Sequence, residues 1–259
     1  MIGAAMSGDA ILGETVLSAA DVGMKFDGFR ALANVTLDIR KGDLTAIIGP
    51  NGAGKSTFFN ILSGAFPPSE GRIVFEGRDI TGRRQHEFAR LGIAKSFQIT
   101  NVFPQLTAAE NVRIAVQAMK IRYDIWTPRR QLTEFVAKAA ELLNLVGLHR
   151  NRERRAENLA HGEQRALEIA MALASDPRLL LLDEPTAGMS PEETMMMMNL
   201  ITKLAEDRTV VLVEHKMKLV MGISDRIVVL HHGELLADGA PGDIRANDEV
   251  RRVYLGQPG

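Results

Sequence analysis

A chain of 259 residues is long enough to bury a sizeable core, as one large domain or two small ones. Its 31 Lys and Arg against 32 Asp and Glu leave a formal net charge of -1, so no global pull toward nucleic acid or an anionic membrane is expected, although local basic patches stay open. The absence of Cys excludes a disulfide framework, thiol catalysis and thiolate metal sites, which suits a cytosolic protein, and no apolar run approaches the roughly 18 residues that span a bilayer. In chain order, MIGAAMSGDAILGET lacks the basic start of a signal peptide and carries Asp9 and Glu14 early, so residues 1–14 read as a flexible leader or as start-site residues. VLSAADVGMKF and ALANVTLDIRKGDLTAIIG read as short strands separated by Gly and Lys turns. LTAIIG runs into the Gly-rich GPNGAGKSTFFNILSG, where helical spacing begins, and GRIVFEGRDI reads as a hairpin about Glu76–Gly77. From about Gln98 to Asn158 the pattern is mainly helical, in AAENVRIAVQAMKIRY and LTEFVAKAAELLNLVGL, with a Pro break in IWTPRR between them. RLLLLDEP and RTVVLVEH have the continuous apolar pattern of strands buried on both faces of a parallel sheet, with a helix between them. DRIVVLHHGELLADG reads as a closing hairpin. Strand, crossover helix and strand make an α/β arrangement; the helical stretch is an insertion, and there is no internal repeat.

The stretch Gly49, Pro50, Asn51, Gly52, Ala53, Gly54, Lys55, Ser56 fits G-x-x-x-x-G-K-[ST], with a strand pattern before it and a helical pattern after it. Loop N–H groups in that setting surround phosphate oxygens, and glycines let the main chain approach closely. Lys55 would reach the β and γ phosphates, and Ser56 would give its hydroxyl to Mg²⁺, with Thr57 beginning the helix. A Gly-rich turn with a surface Lys is the bland alternative. Asp183 ends the buried run LLLLD, at the edge where ligands collect in α/β sheets, and is placed to hold the Mg²⁺ shell. Glu184 follows, where a carboxylate could take a proton from an attacking water. His215, at the end of VVLVEH, recurs at the same edge on the next strand. Two solvated acids at a strand end and a structural His are the corresponding alternatives.

The order GPNGAGKS, Gln98, LAHGE, LLLLDEP, His215 resembles the ATP-binding cassette ATPases over nearly the whole chain. The resemblance implies an α/β P-loop NTPase of RecA-like type: a parallel-sheet core with an N-terminal antiparallel β subdomain and an inserted α-helical subdomain. It implies a cassette over residues 15–259, with core and β subdomain in 15–97 and 165–240, the helical subdomain in 98–164 and a tail in 241–259. Gln98 is then the glutamine that touches Mg²⁺ and the lytic water while linking to the membrane part. Phe26 falls where the family stacks an aromatic on adenine, or it is a core Phe. LAHGE resembles the signature loop L-S-G-G-Q, which in this family caps the ATP held by the opposite cassette of a head-to-tail dimer. Ala160, His161, Gly162 and Glu163 would therefore act in trans, the following helix aiming its positive end and free N–H groups at a γ-phosphate on the partner. Ala160 lacks the Ser hydroxyl, His161 replaces the first Gly and Glu163 replaces Gln. One lost charge-assisted hydrogen bond there costs roughly 1.5–3 kcal/mol.

Ser190-Pro191-Glu192-Glu193 reads as a helix start, with Ser190 as N-cap and Glu193 closing a capping box, where the family often has Asp in the loop between nucleotides. Met195 to Met198 are consecutive and cannot share one helix face. HRNRERRAEN, with Arg150, Arg152, Arg154 and Arg155, reads as a solvated stretch. Val102 and Phe103 are expected either on the surface that receives the membrane subunit or buried in the helical lobe. KSFQITNVFPQLTAAENV, LDEPTAGMSPEET and RRVYLG resemble the ATPase subunits of importers for branched-chain and other hydrophobic amino acids. Urea and amide importers and the lipopolysaccharide-export ATPase share much of that wording. The implied partners are a second ATPase subunit in a homo- or heterodimer, transmembrane permease subunits and, indirectly, a periplasmic solute-binding protein. The implied location is peripheral, on the cytoplasmic face of the inner membrane. Soluble cassettes of DNA repair would carry long coiled coils and ribosomal ones two cradles, neither of which this chain has; a P-loop kinase would leave LAHGE and His215 unexplained. No nucleic-acid partner is expected.

Overall fold

The computed structural model describes residues 14–96, 102–120 and 129–255. β1 (Thr15–Phe26) and β2 (Phe29–Arg40) form an antiparallel ribbon of two 12-residue strands, longer than the short strands read from the sequence. Asp27 and Gly28 turn it with positive φ at both positions, the geometry whose twist matches paired strands. β3 (Leu44–Ile48) leads into α1 (Lys55–Leu62). β4 (Glu70–Phe75) and β5 (Arg78–Asp79) make the expected hairpin, with Glu76 and Gly77 both at positive φ. α2 (Gln85–Leu91) and β6 (Ile93–Ser96) follow, and neither was read from the sequence. The expected helices are α3 (Ala108–Lys120) and α4 (Arg129–Leu145), then α5 (His161–Ala172). β7 (Leu179–Asp183), α6 (Pro191–Ala205), β8 (Thr209–Val213), α7 (Met217–Ile223), β9 (Arg226–His231) and β10 (Glu234–Gly239) complete the α/β alternation and its closing hairpin. α8 (Pro241–Ala246) and α9 (Asp248–Val250) follow, and a π-helical turn over Arg251–Leu255 ends the described chain.

Two sheets result. One is antiparallel, in the order β2-β1-β4-β5; the other runs β10-β9-β3-β8-β7-β6, parallel from β9 to β6 with β10 antiparallel at the edge. β3, β7 and β8 are buried at every residue, which is why they read as unbroken apolar runs. Alternate side chains enter different cores. Leu179 and Leu181 pack with Phe58, Phe59 and the antiparallel sheet, whereas Leu180 and Leu182 pack with Val112, Phe135 and Leu167 of the helices. Burying each such side chain contributes about 1.5–3 kcal/mol, so the central sheet is held from both faces. Because β3, β7 and β8 are parallel, their C-terminal ends open on one edge, and that edge carries the residues of chemical interest.

The start of α3 is fixed locally. Thr107 and Glu110 cap each other, with Glu110 N–H to Thr107 Oγ1 at 3.1 Å and Thr107 N–H to Glu110 Oε2 at 2.9 Å. The fully buried Asn111 amide donates to the carbonyls of Phe103 and Thr107 at 3.1 and 2.9 Å and accepts from Phe103 N–H at 2.7 Å. Phe103 is thus half exposed on a clamped backbone, and Val102 packs partly against the helical core. Among the described residues, no helix is long and apolar enough to cross a membrane.

Candidate functional site

The Gly-rich loop between β3 and α1 is shaped by close main-chain contacts. Gly54 has φ +94°, and a Cβ there would stand 2.7 Å from Leu32 Cδ2 and 2.9 Å from Ala31 O. Gly49 leaves still less room, with Leu230 O at 2.2 Å from such a Cβ. The turn of the β9–β10 hairpin buttresses the loop from behind, Gly233 N–H donating to Ala53 O at 3.1 Å. Gly52, also at positive φ, would meet nothing within 4 Å and faces open space. Lys55 is buried at 8% exposure, and its ammonium donates to the carbonyls of Gly49 and Pro50 at 2.8 and 2.9 Å. Burial holds that ammonium below the usual Lys range, opposed by the nearby Glu184 carboxylate. Ser56 and Thr57 follow on the first turn of α1, Ser56 exposed.

Asp183 ends β7 at 5% exposure. Burial pushes its carboxyl up from the usual range, against the pull of Lys95, whose ammonium lies 3.9 Å away and is itself held down by burial. Lys95 also donates to Asn60 Oδ1 at 2.6 Å. A nearly buried carboxylate whose counter-charges, Lys95 and Arg165, do not outweigh its burial is electrostatically suited to a cation. Among the described residues no group of three or more His, Cys, Asp or Glu side chains could hold a metal alone. A hydroxyl such as that of Ser56 and a carboxylate such as that of Asp183 are oxygen donors of the kind Mg²⁺ takes, alongside water and phosphate oxygens.

Glu184 begins the next turn at φ +43°, its N–H donating to Val213 O at 3.0 Å. Its carboxylate Oε1 lies 3.9 Å from His215 Nδ1, so the two residues placed by sequence on one edge face each other. Beside His215 lies a buried residue that sequence reasoning missed. Glu214 is 1% exposed and its carboxylate accepts from Thr186 N–H at 3.1 Å, Thr186 Oγ1 at 2.5 Å and His215 N–H at 3.2 Å. The one signal in the sequence was a charged residue closing an otherwise apolar strand pattern.

The loop at 159–163 corrects one expectation. α5 does start at His161, but the Gly162 N–H is not free: it donates to Glu193 Oε1 of α6 at 3.0 Å. Glu163 is likewise engaged within its own chain, accepting from Ala160 N–H at 2.9 Å and Asn151 Nδ2 at 2.5 Å. The positive end of α5 attracts carboxylates, and two lie close by in the same chain. A Cβ at Gly162 would sit 3.0 Å from Glu193 Oε1, so the Gly also lets the start of α5 lie close to the Glu193 side chain of α6. Glu193 also closes the expected capping box with Ser190, at 3.0 and 3.2 Å, and these backbone donors of Ser190 and Gly162 hold its carboxyl below the usual range. His161 lies against Gly188, in the turn that follows Glu184.

Phe26 ends β1 at 42% exposure, edge-on to Phe66 with ring centroids 5.8 Å apart, so it is a surface aromatic and not a core one. Met197 and Met198 are buried while Met195 and Met196 are exposed, as four consecutive helical positions require. Arg150, Arg152, Arg154 and Arg155 are exposed. Gln98 and the leader up to residue 13 lie outside the described residues.

Residues 32–187 match the family described as ABC transporter, and residues 234–258 match one described as branched-chain amino acid ATP-binding cassette transporter. The chain is 40% identical over 255 residues to the high-affinity branched-chain amino acid transport ATP-binding protein LivG of Salmonella typhimurium, covering 95% of this chain and 100% of that protein. It is 42% identical over 251 residues to BraF of Pseudomonas aeruginosa, which bears the same description, covering 93% and 98%. Among solved structures, a nucleotide-free ATP-binding cassette from an ABC transporter superposes with a TM-score of 0.82 at 28% identity, covering 94% of this chain and 100% of that one. A dimeric post-hydrolysis cassette bound to ADP and Pi gives 0.74 at 29% identity, covering 87% and 98%.

Proposed function

From the premise that the chain belongs to the ATP-binding cassette transporter family, we propose that it is the ATP-hydrolysing subunit of an importer for branched-chain or other hydrophobic amino acids. The observation that carries the reading is the convergence, at the C-terminal edge of β3, β7 and β8, of the glycine loop, buried Asp183 and the facing pair Glu184 and His215. The main chain of residues 49–54 surrounds the phosphates, and Lys55 turns from its two loop carbonyls to the β and γ oxygens. Ser56 and Asp183, with Gln98, would hold Mg²⁺, which when bound would neutralise charge on the phosphate oxygens. Phe26 offers its exposed face to the adenine. Glu184 takes a proton from water as the water oxygen bonds to the γ phosphorus and the bond to the β-phosphate oxygen breaks, leaving ADP and phosphate. His215, beside Glu184, orients the reacting groups.

The cassette works as a dimer in which Ala160, His161 and Gly162 cap the partner's ATP, with Glu163 bracing the loop through Ala160 and Asn151. Residues 15–97 with 165–240 form the core and 98–164 the helical lobe. Closure and reopening are passed to transmembrane permease subunits, served by a periplasmic solute-binding protein, so the chain lies on the cytoplasmic face of the membrane. The names of the relatives favour amino acids over urea, amides or lipopolysaccharide as cargo. Reconstitution with the neighbouring permease and solute-binding proteins in vesicles tests this: ATP-driven uptake of leucine supports it, and uptake of urea without leucine overturns the cargo.

A further inference from the structure

We propose that Glu214 is a positioning residue for hydrolysis, holding Glu184 and His215 in register through the turn that follows β7. This rests on Glu184 being the general base, as proposed above. A carboxylate at 1% exposure is costly unless donors surround it, and here the donors come from both sides of the reacting edge. Oε1 takes the N–H and the hydroxyl of Thr186, and Oε2 takes the N–H of His215 while lying 4.0 Å from its Nδ1. Thr186, itself fully buried, is gripped a third time, its carbonyl accepting from Lys216 Nζ at 3.1 Å. Residues 214–216 therefore fix the N–H, hydroxyl and carbonyl of one threonine two residues past Glu184.

Glu184 has need of such a hold. Its φ of +43° is a left-handed conformation that a non-glycine residue keeps only where the surroundings impose it. The turn is tied upstream by Glu184 N–H to Val213 O, internally by Ala187 N–H to Glu184 O at 3.0 Å, and downstream by Thr186 to Glu214. Releasing the downstream tie lets the turn relax and carries the Glu184 carboxylate away from the reacting water. A carboxylate suits the position because both of its oxygens accept. A glutamine of the same shape can accept from Thr186 with its oxygen, but its amide then meets the His215 N–H, donor against donor.

The test compares Glu214→Gln, Thr186→Val, Thr186→Ser and Glu184→Gln, reading kcat, KM for ATP, nucleotide affinity and thermal midpoint. Glu214→Gln and Thr186→Val should lower kcat by on the order of 10–10²-fold, the scale of a misplaced catalytic group, with nucleotide affinity held. Thr186→Ser should recover the rate lost in Thr186→Val. In the Glu184→Gln background, Glu214→Gln should cause no further fall in single-turnover rate, because the two act as one unit. Wild-type kcat in both Glu214→Gln and Thr186→Val overturns the inference, as does a multiplicative fall in the double variant. Wild-type hydrolysis by Glu184→Gln would remove the premise instead, so the two failures are distinguishable. If Glu214→Gln does not fold, the Thr186 pair decides.

Discussion

Gly52 and Gly54 lie two residues apart in the same loop, both at positive φ, yet alanine should cost them stability to different extents. At Gly54 the new Cβ meets Leu32 Cδ2 at 2.7 Å and Ala31 O at 2.9 Å; at Gly52 it meets nothing within 4 Å. Left-handed φ costs a non-glycine residue about 1–2 kcal/mol, and overpacking adds about 1–3 kcal/mol only at Gly54. Gly54→Ala should thus lose about 2–5 kcal/mol of stability and Gly52→Ala about 1–2 kcal/mol. At roughly 2–4 °C per kcal/mol for a chain of this size, the thermal midpoint falls by about 4–20 °C in the first and about 2–8 °C in the second. Nucleotide binding should show the converse emphasis. A Cβ at Gly52 stands in the space proposed for the phosphates, and losing one charge-assisted hydrogen bond of about 1.5–3 kcal/mol weakens ATP by about 10–150-fold. Calorimetric unfolding paired with titration by a fluorescent ATP analogue reads both effects. An unchanged midpoint in Gly54→Ala, or wild-type ATP affinity in Gly52→Ala, would refute the account of this loop.

Lys55→Ala should weaken ATP binding and abolish turnover, because its buried ammonium is the cation stationed in the loop; equilibrium titration with normal ATP affinity would contradict that placement. Phe103→Ala should impair transport in reconstituted vesicles more than basal ATPase activity, since the ring is half exposed on a backbone held by Asn111. Equal loss of both with a lowered melting temperature would show that the ring packs into the helical lobe instead.

Much of this site is legible in the sequence because its signals are contiguous. GPNGAGKS combines the glycines, the lysine and the hydroxyl in one run, and in LLLLDE the apolar run stops at two carboxylates, so the end of the strand pattern alone puts Asp183, its last residue, and Glu184, the first of the turn, at the edge. His215 is legible at the same edge for the same reason, two residues beyond the end of β8 and 3.9 Å from Glu184. What escaped notice depends on long-range contact. β6 is four residues, IAKS, too short and too polar for a strand pattern, yet it brings Lys95 to Asp183. Thr186 and Glu214 are 28 residues apart and carry no shared motif. The contact between Gly162 and Glu193 spans 31 residues, and it changes the meaning of the glycine. Sequence assigned Gly162 to the partner's phosphate; the fold gives it a neighbour within its own chain as well.

The central claim is that one chain's glycine loop and Glu184 act on an ATP capped by the 160–162 loop of another. Glu184→Gln keeps Lys55, Ser56 and Asp183 and should slow hydrolysis by roughly 10²–10⁴-fold, the usual contribution of a positioned base. Size-exclusion chromatography of that variant should show a shift toward dimer with Mg²⁺ and ATP and none with ADP. Adding Gly162→Asp, which sets a second carboxylate beside Glu193 and toward the incoming γ-phosphate, should abolish the shift while the monomer still binds ATP. A Glu184→Gln protein that hydrolyses ATP at the wild-type rate, or a Gly162→Asp monomer that no longer binds ATP, would contradict it.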